Sequence, residues 1–362
     1  MSILNNFENT RQVLVKLKKS FRNKKCVVTG GASFIGSHLV DSLISMESFV
    51  TVIDDFSSGK INNLNSSFNN SNLKLIEKDI TLIEDLDKEF SGADFVFNLA
   101  AIHGGRGFIE SQGKLMLKNL YIDQKVFQSA INEKVKVIIH ASSACSYPIN
   151  FQSSSSSRNL LSENLANFEI PGGAFPDGIY GWTKLMGEFQ LKTLTEKTAT
   201  KGRSARIFTA YGPRENESHA AIALISKAIL RMDPFEIWGD GNQTRNFTFV
   251  ADTVSGLLFA AADPSEDYYA FNIGTSDHIQ VNNFVEEIFS IVGWRPQVIH
   301  RDINKPAGVA SRASNNDFVF KKFGWQPSIN INEGIKETYS WYLNYTDRAK
   351  DLNQLISRLN SR

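Results

Sequence analysis

The sequence predicts an α/β protein: a doubly wound parallel sheet with a smaller mixed α/β C-terminal lobe. Three observations carry this. From Lys25 onwards, short apolar runs alternate with helical stretches. A glycine-rich turn joins the first run to the first helix. At "YGPRE" (211–215) the alternation breaks and the chain changes character.

The elements follow in order. "MSILNNFENTRQVLVKLKKS" lacks the continuous apolar core of a secretion signal and reads as a helical extension over 1–22. "CVVTG" (26–30), "FVTVIDD" (49–55), "LKLIEKD" (73–79), "DFVFNLA" (94–100) and "VKVIIHASS" (135–143) read as strands. "IGSHLVDSLISM" (35–46) and "KLMLKNLYIDQKVFQSAINEK" (114–134) read as helices between them. Strands separated by helices need crossover connections, hence a parallel sheet covered on both faces. The first domain is placed at 23–210, with 236–270 returning to it. The loop 150–178 holds a five-serine run and a Pro/Gly-rich tail, and reads equally as a lid or as a solvated insertion. A helix is expected around 219–232, then strand and loop over 235–252. Residues 211–235 and 271–345 are assigned to the second lobe, and 346–362 to a polar C-terminal helix.

Composition narrows the partners. The chain has 362 residues and a formal charge of +1, which gives no electrostatic reason to expect nucleic acid or an anionic membrane. No run reaches the roughly 18 apolar residues of a membrane span. Two cysteines, Cys26 and Cys145, cannot build a disulfide framework. That fits a reducing compartment, so a cytoplasmic location is expected. No metal site is expected.

"VTGGASFIGSHL" (28–39) follows a strand and opens a helix, the setting in which a glycine loop is informative. Gly30 permits the tight turn, and Gly36 permits close packing of helix on strand. Phe34 and Ile35 open the helix whose N-terminus would take a pyrophosphate. Ser33 stands where the middle glycine of this spacing is usual, which crowds that approach. Asp54 ends the second strand, placed for a ribose. With Asp55 it would repel a 2′-phosphate, favouring NAD over NADP.

A second constellation lies at the far strand ends. In "YGWTK" (180–184), Tyr180 and Lys184 are four apart and share one helix face. The ammonium would lower the phenol's pKa and make Tyr180 a base near neutral pH. Ser143, in "ASSACSYP" (141–148), would hold a reacting hydroxyl beside it.

Together with "FNLAAIHGGRGFIES" (97–111), "FEIWGDGNQTRNFTFV" (235–250) and "PAGVASR" (306–312), these stretches give the chain a family likeness. Over roughly residues 24–345 it resembles the extended short-chain dehydrogenase/reductases that act on nucleotide sugars. Within them it is most similar to the GDP-mannose 3,5-epimerases, then to the GDP-fucose synthases. The resemblance implies a Rossmann-type sheet, bound NAD, a nucleotide-diphosphate sugar as substrate, and a homodimer. The dimer would pair the helices 114–134 and 180–198, with Leu117, Tyr121, Leu185 and Phe189 as contact residues. Further cofactor contacts implied are Ser57, Asp79, Ile80, Leu99, Ala100, Ala101 and Asn119.

Catalysis in such relatives implies transient oxidation at C4, with Ser143, Tyr180 and Lys184, followed by epimerisation at C3 and/or C5. Cys145 would be the base for that step and His219 the opposing acid. Arg245 and Arg312 fall on positions that grip the diphosphate. Lys227, Gln243 and Thr209 are further substrate contacts, and Gly104 and Gly105 would let the backbone approach the sugar. Arg106 replaces an apolar residue of the relatives, and a cation there could meet an anionic group, so the sugar need not be mannose. Alternatives stay open: a UDP-sugar 4-epimerase in which Cys145 is a spectator, a net C4 oxidoreductase, or a non-catalytic nucleotide sensor.

Overall fold

Seven strands form one sheet: β1 (Lys25–Thr29), β2 (Phe49–Asp54), β3 (Leu73–Glu77), β4 (Phe95–Asn98), β5 (Val137–Ser143), β6 (Lys201–Ile207) and β7 (Tyr268–Ile273). The structure is a computed structural model describing residues 2–345 apart from Ser155, Ser157 and Gly172. The expected helix over 346–362 lies outside the described residues. The strand order is β7-β6-β5-β4-β1-β2-β3 and every pairing is parallel. Direction reverses beside β1, so a crevice opens at the carboxyl ends of β1 and β4, where ligands of such sheets bind.

The helices that position the site are α1 (Glu8–Phe21), α2 (Phe34–Ser45), α3 (Lys118–Asn132), α4 (Gly178–Thr195), α5 (Ala220–Ile229), α6 (Val250–Ala262), α7 (Val281–Val292) and α8 (Ile331–Tyr345). Successive strand residues point to opposite faces, which is why the strands read as unbroken apolar runs. Val27, Ile53, Val96 and Ile138 face Ile122 and Val126 of α3. Val28, Val52, Phe97 and Ile139 share the other core with Leu39 and Leu43 of α2 and Val254 and Leu257 of α6. Each such side chain contributes about 1.5–3 kcal/mol by burial.

Four expectations change. The N-terminal segment is no detached extension: Leu14, Leu17 and Phe21 of α1 join the main core, with the Phe21 ring 5.0 Å from Phe95. Residues 236–246 do not return to the sheet, because Phe235–Trp238 pairs in parallel with Ile299–Asp302. Phe235 packs there against Phe289 of α7, ring centroids 4.9 Å apart. The true return is α6 and β7. The loop 150–178 is anchored in part, although its described residues 153, 154, 156 and 158–160 are exposed. Leu161 is buried and its N–H donates to Ala313 O at 3.0 Å, while Arg206 of β6 donates to Glu163 O (2.6 Å) and Ala166 O (2.9 Å). Finally, Leu185 is buried with Ala144, Tyr147 and Phe208, so it cannot face a partner, whereas Leu117, Tyr121 and Phe189 are exposed.

Among the described residues, no helix is long and apolar enough to cross a membrane.

Candidate active site

The glycine turn is built by close approach. Gly30 has φ +67°, and a Cβ there would lie 2.9 Å from Ala100 N. A Cβ on Gly36 would lie 2.2 Å from Gly30 O, so only glycine lets α2 start against β1. The Ser33 hydroxyl turns back to donate to Gly30 O at 2.5 Å, and no side chain caps α2. The first-turn N–H groups therefore open onto a cavity of about 440 Å³ whose wall includes Ser33, Phe34 and Ile35. This uncapped cradle fits a pyrophosphate.

Around it, several expected cofactor residues take other tasks. Asp54 does not line the cavity; its Oδ2 accepts the Ala32 N–H (2.8 Å) and its Oδ1 the Phe56 N–H (2.9 Å). Burial raises its carboxyl above the usual range against those two donors. Asp55 holds Ser57, accepting its N–H at 2.9 Å and its hydroxyl at 2.6 Å. Asp79, beside buried Ile80, accepts from Thr81 and from Lys118 (2.7 Å). Burial works against it, yet these donors hold the Asp79 carboxyl at about 2. Ser58, Lys60 and Asn63, which the sequence reading passed over, are polar wall residues here.

Leu99 and Ala101, which follow β4, line the cavity, while Ala100 between them lies against the Gly30 turn. Asn119 clamps this loop rather than facing a ligand: its Oδ1 accepts the Ile102 N–H (2.7 Å) and its Nδ2 donates to Ile102 O (3.0 Å). A Cβ on Gly104 would meet Phe108 at 2.6 Å, and one on Gly105 would meet Ser218 O at 2.2 Å. Both glycines line the cavity, and each also allows protein to pack on protein. The result sets His103 between Tyr180, ring centroids 5.1 Å apart, and His219, 4.9 Å. His103 stood unremarked in "AAIHGG".

The end of β5 tightens into one turn. The Ser143 hydroxyl accepts the Cys145 N–H at 3.1 Å, and Asp177 N–H donates to Cys145 O at 2.9 Å. A Cβ on Gly181 would lie 2.3 Å from Cys145 O, so glycine in "YGWTK" brings α4, and with it Tyr180, against the turn. Tyr180 and Lys184 are buried, with Lys184 Nζ 5.8 Å from the phenol ring centre. Their charges differ from the expectation. Burial, aided by Cys145 and Asp123, pushes the Tyr180 phenol well above its usual range, and hydrogen bonding from Ser143 opposes this. Burial also lowers Lys184, against the nearby Asp123 carboxylate. The ammonium alone does not make Tyr180 a base; desolvation outweighs it.

The second lobe supplies the rest. His219 stands at the N-cap of α5, its Nδ1 2.8 Å from Glu215 Oε1. Its Nε2 is buried with no hydrogen-bond partner among the described residues. Lys227 donates to Glu236 O (3.0 Å) and Oε2 (2.9 Å). Gln243 donates to Trp238 O at 2.9 Å, and Thr209 lies on the wall. Arg312 Nη1 reaches Cys145 Sγ at 3.4 Å. Ser143, Cys145, Tyr180, Lys184 and His219 thus share one cavity with Arg106, Arg245 and Arg312.

A profile described as "NAD dependent epimerase/dehydratase family" matches residues 26–274. The chain belongs to this family. This epimerase/dehydratase is 31% identical over 333 residues to a GDP-mannose 3,5-epimerase of Arabidopsis thaliana, covering 91% of this chain and 84% of that one. It is 27% identical over 338 residues to a UDP-N-acetyl-alpha-D-glucosaminuronate decarboxylase of Bacillus cytotoxicus, covering 88% and 98%. In three dimensions it is similar to a UDP-glucuronic acid 4-epimerase of Bacillus cereus, solved with UDP-glucuronic acid and NAD. There the TM-score is 0.77 and the identity 26%, covering 89% of this chain and 100% of that one. The epimerase/dehydratase is an NAD-dependent enzyme acting on nucleotide sugars.

Proposed function

We propose that the enzyme epimerises a nucleotide-diphosphate sugar through a transient 4-keto form, inverting C3 and/or C5. The observation that carries this is the presence of Cys145 and His219 in the cavity that holds Ser143, Tyr180 and Lys184. When bound, NAD would take up the C4 hydride and give the same hydride back to C4 at the end, and its cationic ring would favour phenolate beside it. Tyr180 takes the proton of the C4 hydroxyl, and Ser143 orients that hydroxyl. The C4 ketone makes protons at C3 and C5 acidic. Cys145 removes one as its thiolate, and Arg312 stands ready to pair with that charge. His219, oriented through Nδ1 by Glu215, returns a proton from Nε2. Tyr180 finally gives its proton back to the C4 oxygen.

A 4-epimerase is the second reading, favoured by similarity to UDP-sugar 4-epimerases such as that of Bacillus cereus and that of Thermotoga maritima, solved with UDP-glucose. In it Cys145 only packs. Incubation with GDP-, UDP-, CDP- and dTDP-sugars in heavy water, read by NMR, separates the two. Deuterium at C3 or C5 supports the first reading; inversion at C4 without solvent label supports the second. Stoichiometric NADH would mean a net oxidoreductase, and no turnover a sensor.

Cofactor choice and assembly are testable on their own. Asp54 and Asp55 touch no ligand from the cavity wall, but their carboxylates at the end of β2 would repel a 2′-phosphate at a distance, partly offset by Lys60 on the wall. Calorimetry is expected to show NAD bound at least about tenfold tighter than NADP; equal affinities would refute the assignment. Leu117, Tyr121, Trp182 and Phe189 form an exposed apolar face on and beside α3 and α4. Sedimentation is expected to find a homodimer at micromolar concentration, and a monomer would dismiss this face as an interface.

A further inference from the structure

Behind the cavity wall lies a second polar cluster. Asp123 of α3 is buried and does not line the cavity, whereas Lys184 does. Its Oδ1 accepts from Asn98 Nδ2 at 2.7 Å, and Asn98 Oδ1 accepts from the Thr29 hydroxyl at 2.8 Å. Thr29 Oγ1 in turn accepts the Ala100 N–H at 3.2 Å, so this chain of bonds starts beside the Gly30 turn. Asp123 Oδ2 is buried with no hydrogen-bond partner among the described residues. A carboxylate oxygen buried without a donor is costly unless a cation lies near.

Packing points to the cation. A Cβ on Gly187 would lie 2.6 Å from Asp123 Oδ2 and 2.7 Å from His140 Nε2, so glycine there lets α4 lie against both side chains. Lys184 precedes Gly187 by three positions and shares its helix face. His140 Nδ1 is 3.7 Å from Asp123 Oδ1, but burial and the Lys184 charge push this imidazole well below its usual range, so it is neutral. His103, on the loop after β4, is neutral too, through burial and the charges of His219 and Lys184. Tyr180 and Cys145 bring no positive charge. Lys184 is left to answer Oδ2, and the attraction is mutual. Burial lowers Lys184 and Asp123 opposes this; burial raises Asp123 to about 6, and Lys184 and Asn98 oppose that.

We propose that Asp123 is the buried counter-ion that keeps Lys184 protonated, a positioning residue that acts on Tyr180 from outside the cavity. This rests on Tyr180 as the base at C4 and deepens that reading. Asp123 has two opposed effects on the phenol. Its own negative charge disfavours phenolate, whereas the ammonium it maintains favours phenolate. In the NAD-loaded protein the second effect is the larger.

The test is the ionisation of Tyr180 in the NAD-loaded protein, followed by ultraviolet absorbance against pH with Tyr180→Phe as the blank. Asp123→Asn keeps the shape and removes the charge, so Lys184 is expected to lose its proton. The phenolate fraction at a fixed pH below the midpoint should then fall at least about tenfold. A fraction that rises or stays level means that Asp123 acts by its own charge or only packs, and overturns the inference. Adding Asp123→Asn to Lys184→Met should bring no further fall; one that persists does not run through Lys184 and also overturns it. Should Asp123→Asn not fold, Asp123→Ser must give the same fall. Stopped-flow absorbance with GDP-, UDP-, CDP- and dTDP-hexoses reads the reaction itself, where nicotinamide reduction is expected to slow in step. A phenolate loss that leaves this rate unchanged overturns the positioning role. Should no nucleotide sugar reduce the cofactor of the unsubstituted protein, Tyr180 as C4 base falls, and the phenol titration still decides for or against Asp123.

Discussion

Tyr180→Phe is expected to stop the reaction before any 4-keto sugar forms, whereas Cys145→Ala should leave that first step running. The two residues sit at one turn but handle different protons. Tyr180 accepts from the C4 hydroxyl, so without its oxygen no reduced nicotinamide should appear and every later event fails. Cys145→Ala keeps Ser143, Tyr180 and Lys184, so the transient reduced nicotinamide signal should persist. Solvent exchange at the epimerised carbon should then fall by about 10²–10⁴-fold, the usual contribution of an acid–base group. His219→Asn should retain deuterium uptake through Cys145 while inversion largely fails. Stopped-flow absorbance and NMR in heavy water read the two steps separately. Full epimerisation by Cys145→Ala would make this thiol a packing residue and hand the lead to the 4-epimerase.

The second large effect concerns stability. Arg206 of β6 and Glu188 of α4 form a buried ion pair, with Nη2 to Oε2 at 2.7 Å and Nε to Oε1 at 3.0 Å. Glu188 Oε1 also accepts from the Ser142 hydroxyl at 2.5 Å, and Arg206 lies over the Tyr147 ring at 4.9 Å. Arg206→Met would leave a carboxylate buried under the Ser143–Cys145 turn without its counter-ion. A loss of about 3–5 kcal/mol is expected by chemical denaturation. Adding Glu188→Gln should recover part of it, since the unpaired charge goes. A loss below about 1 kcal/mol would show that water reaches Glu188.

The sheet was legible because strands buried on both faces must be apolar throughout, and the glycine turn because no Cβ fits at Gly30 or Gly36. Roles that depend on long-range packing were not. Asp54 has the right place in the chain for a ribose, but its oxygens serve Ala32 and Phe56. Leu185 keeps the period of an exposed helix face, yet α4 lies under the Cys145 turn and covers it. Arg312 carries a sequence signal for phosphate, but its neighbour Cys145 lies 167 positions away. Tyr180 and Lys184 were found by spacing. Their charge states depend on burial and on Asp123, which spacing does not encode. His103 carried a signal that was available: an imidazole inside a glycine-rich loop beside two alanines.

The Gly105–Ser218 contact has a mechanical consequence. Gly105 belongs to the sheet domain and Ser218 to the segment that leads into the second lobe, and their backbones pass so closely that a Cβ at 105 would lie 2.2 Å from Ser218 O. A methyl group there would act as a wedge between the two segments, and Gly105→Ala is expected to disturb the packing of His103 on His219 even with every reacting side chain intact.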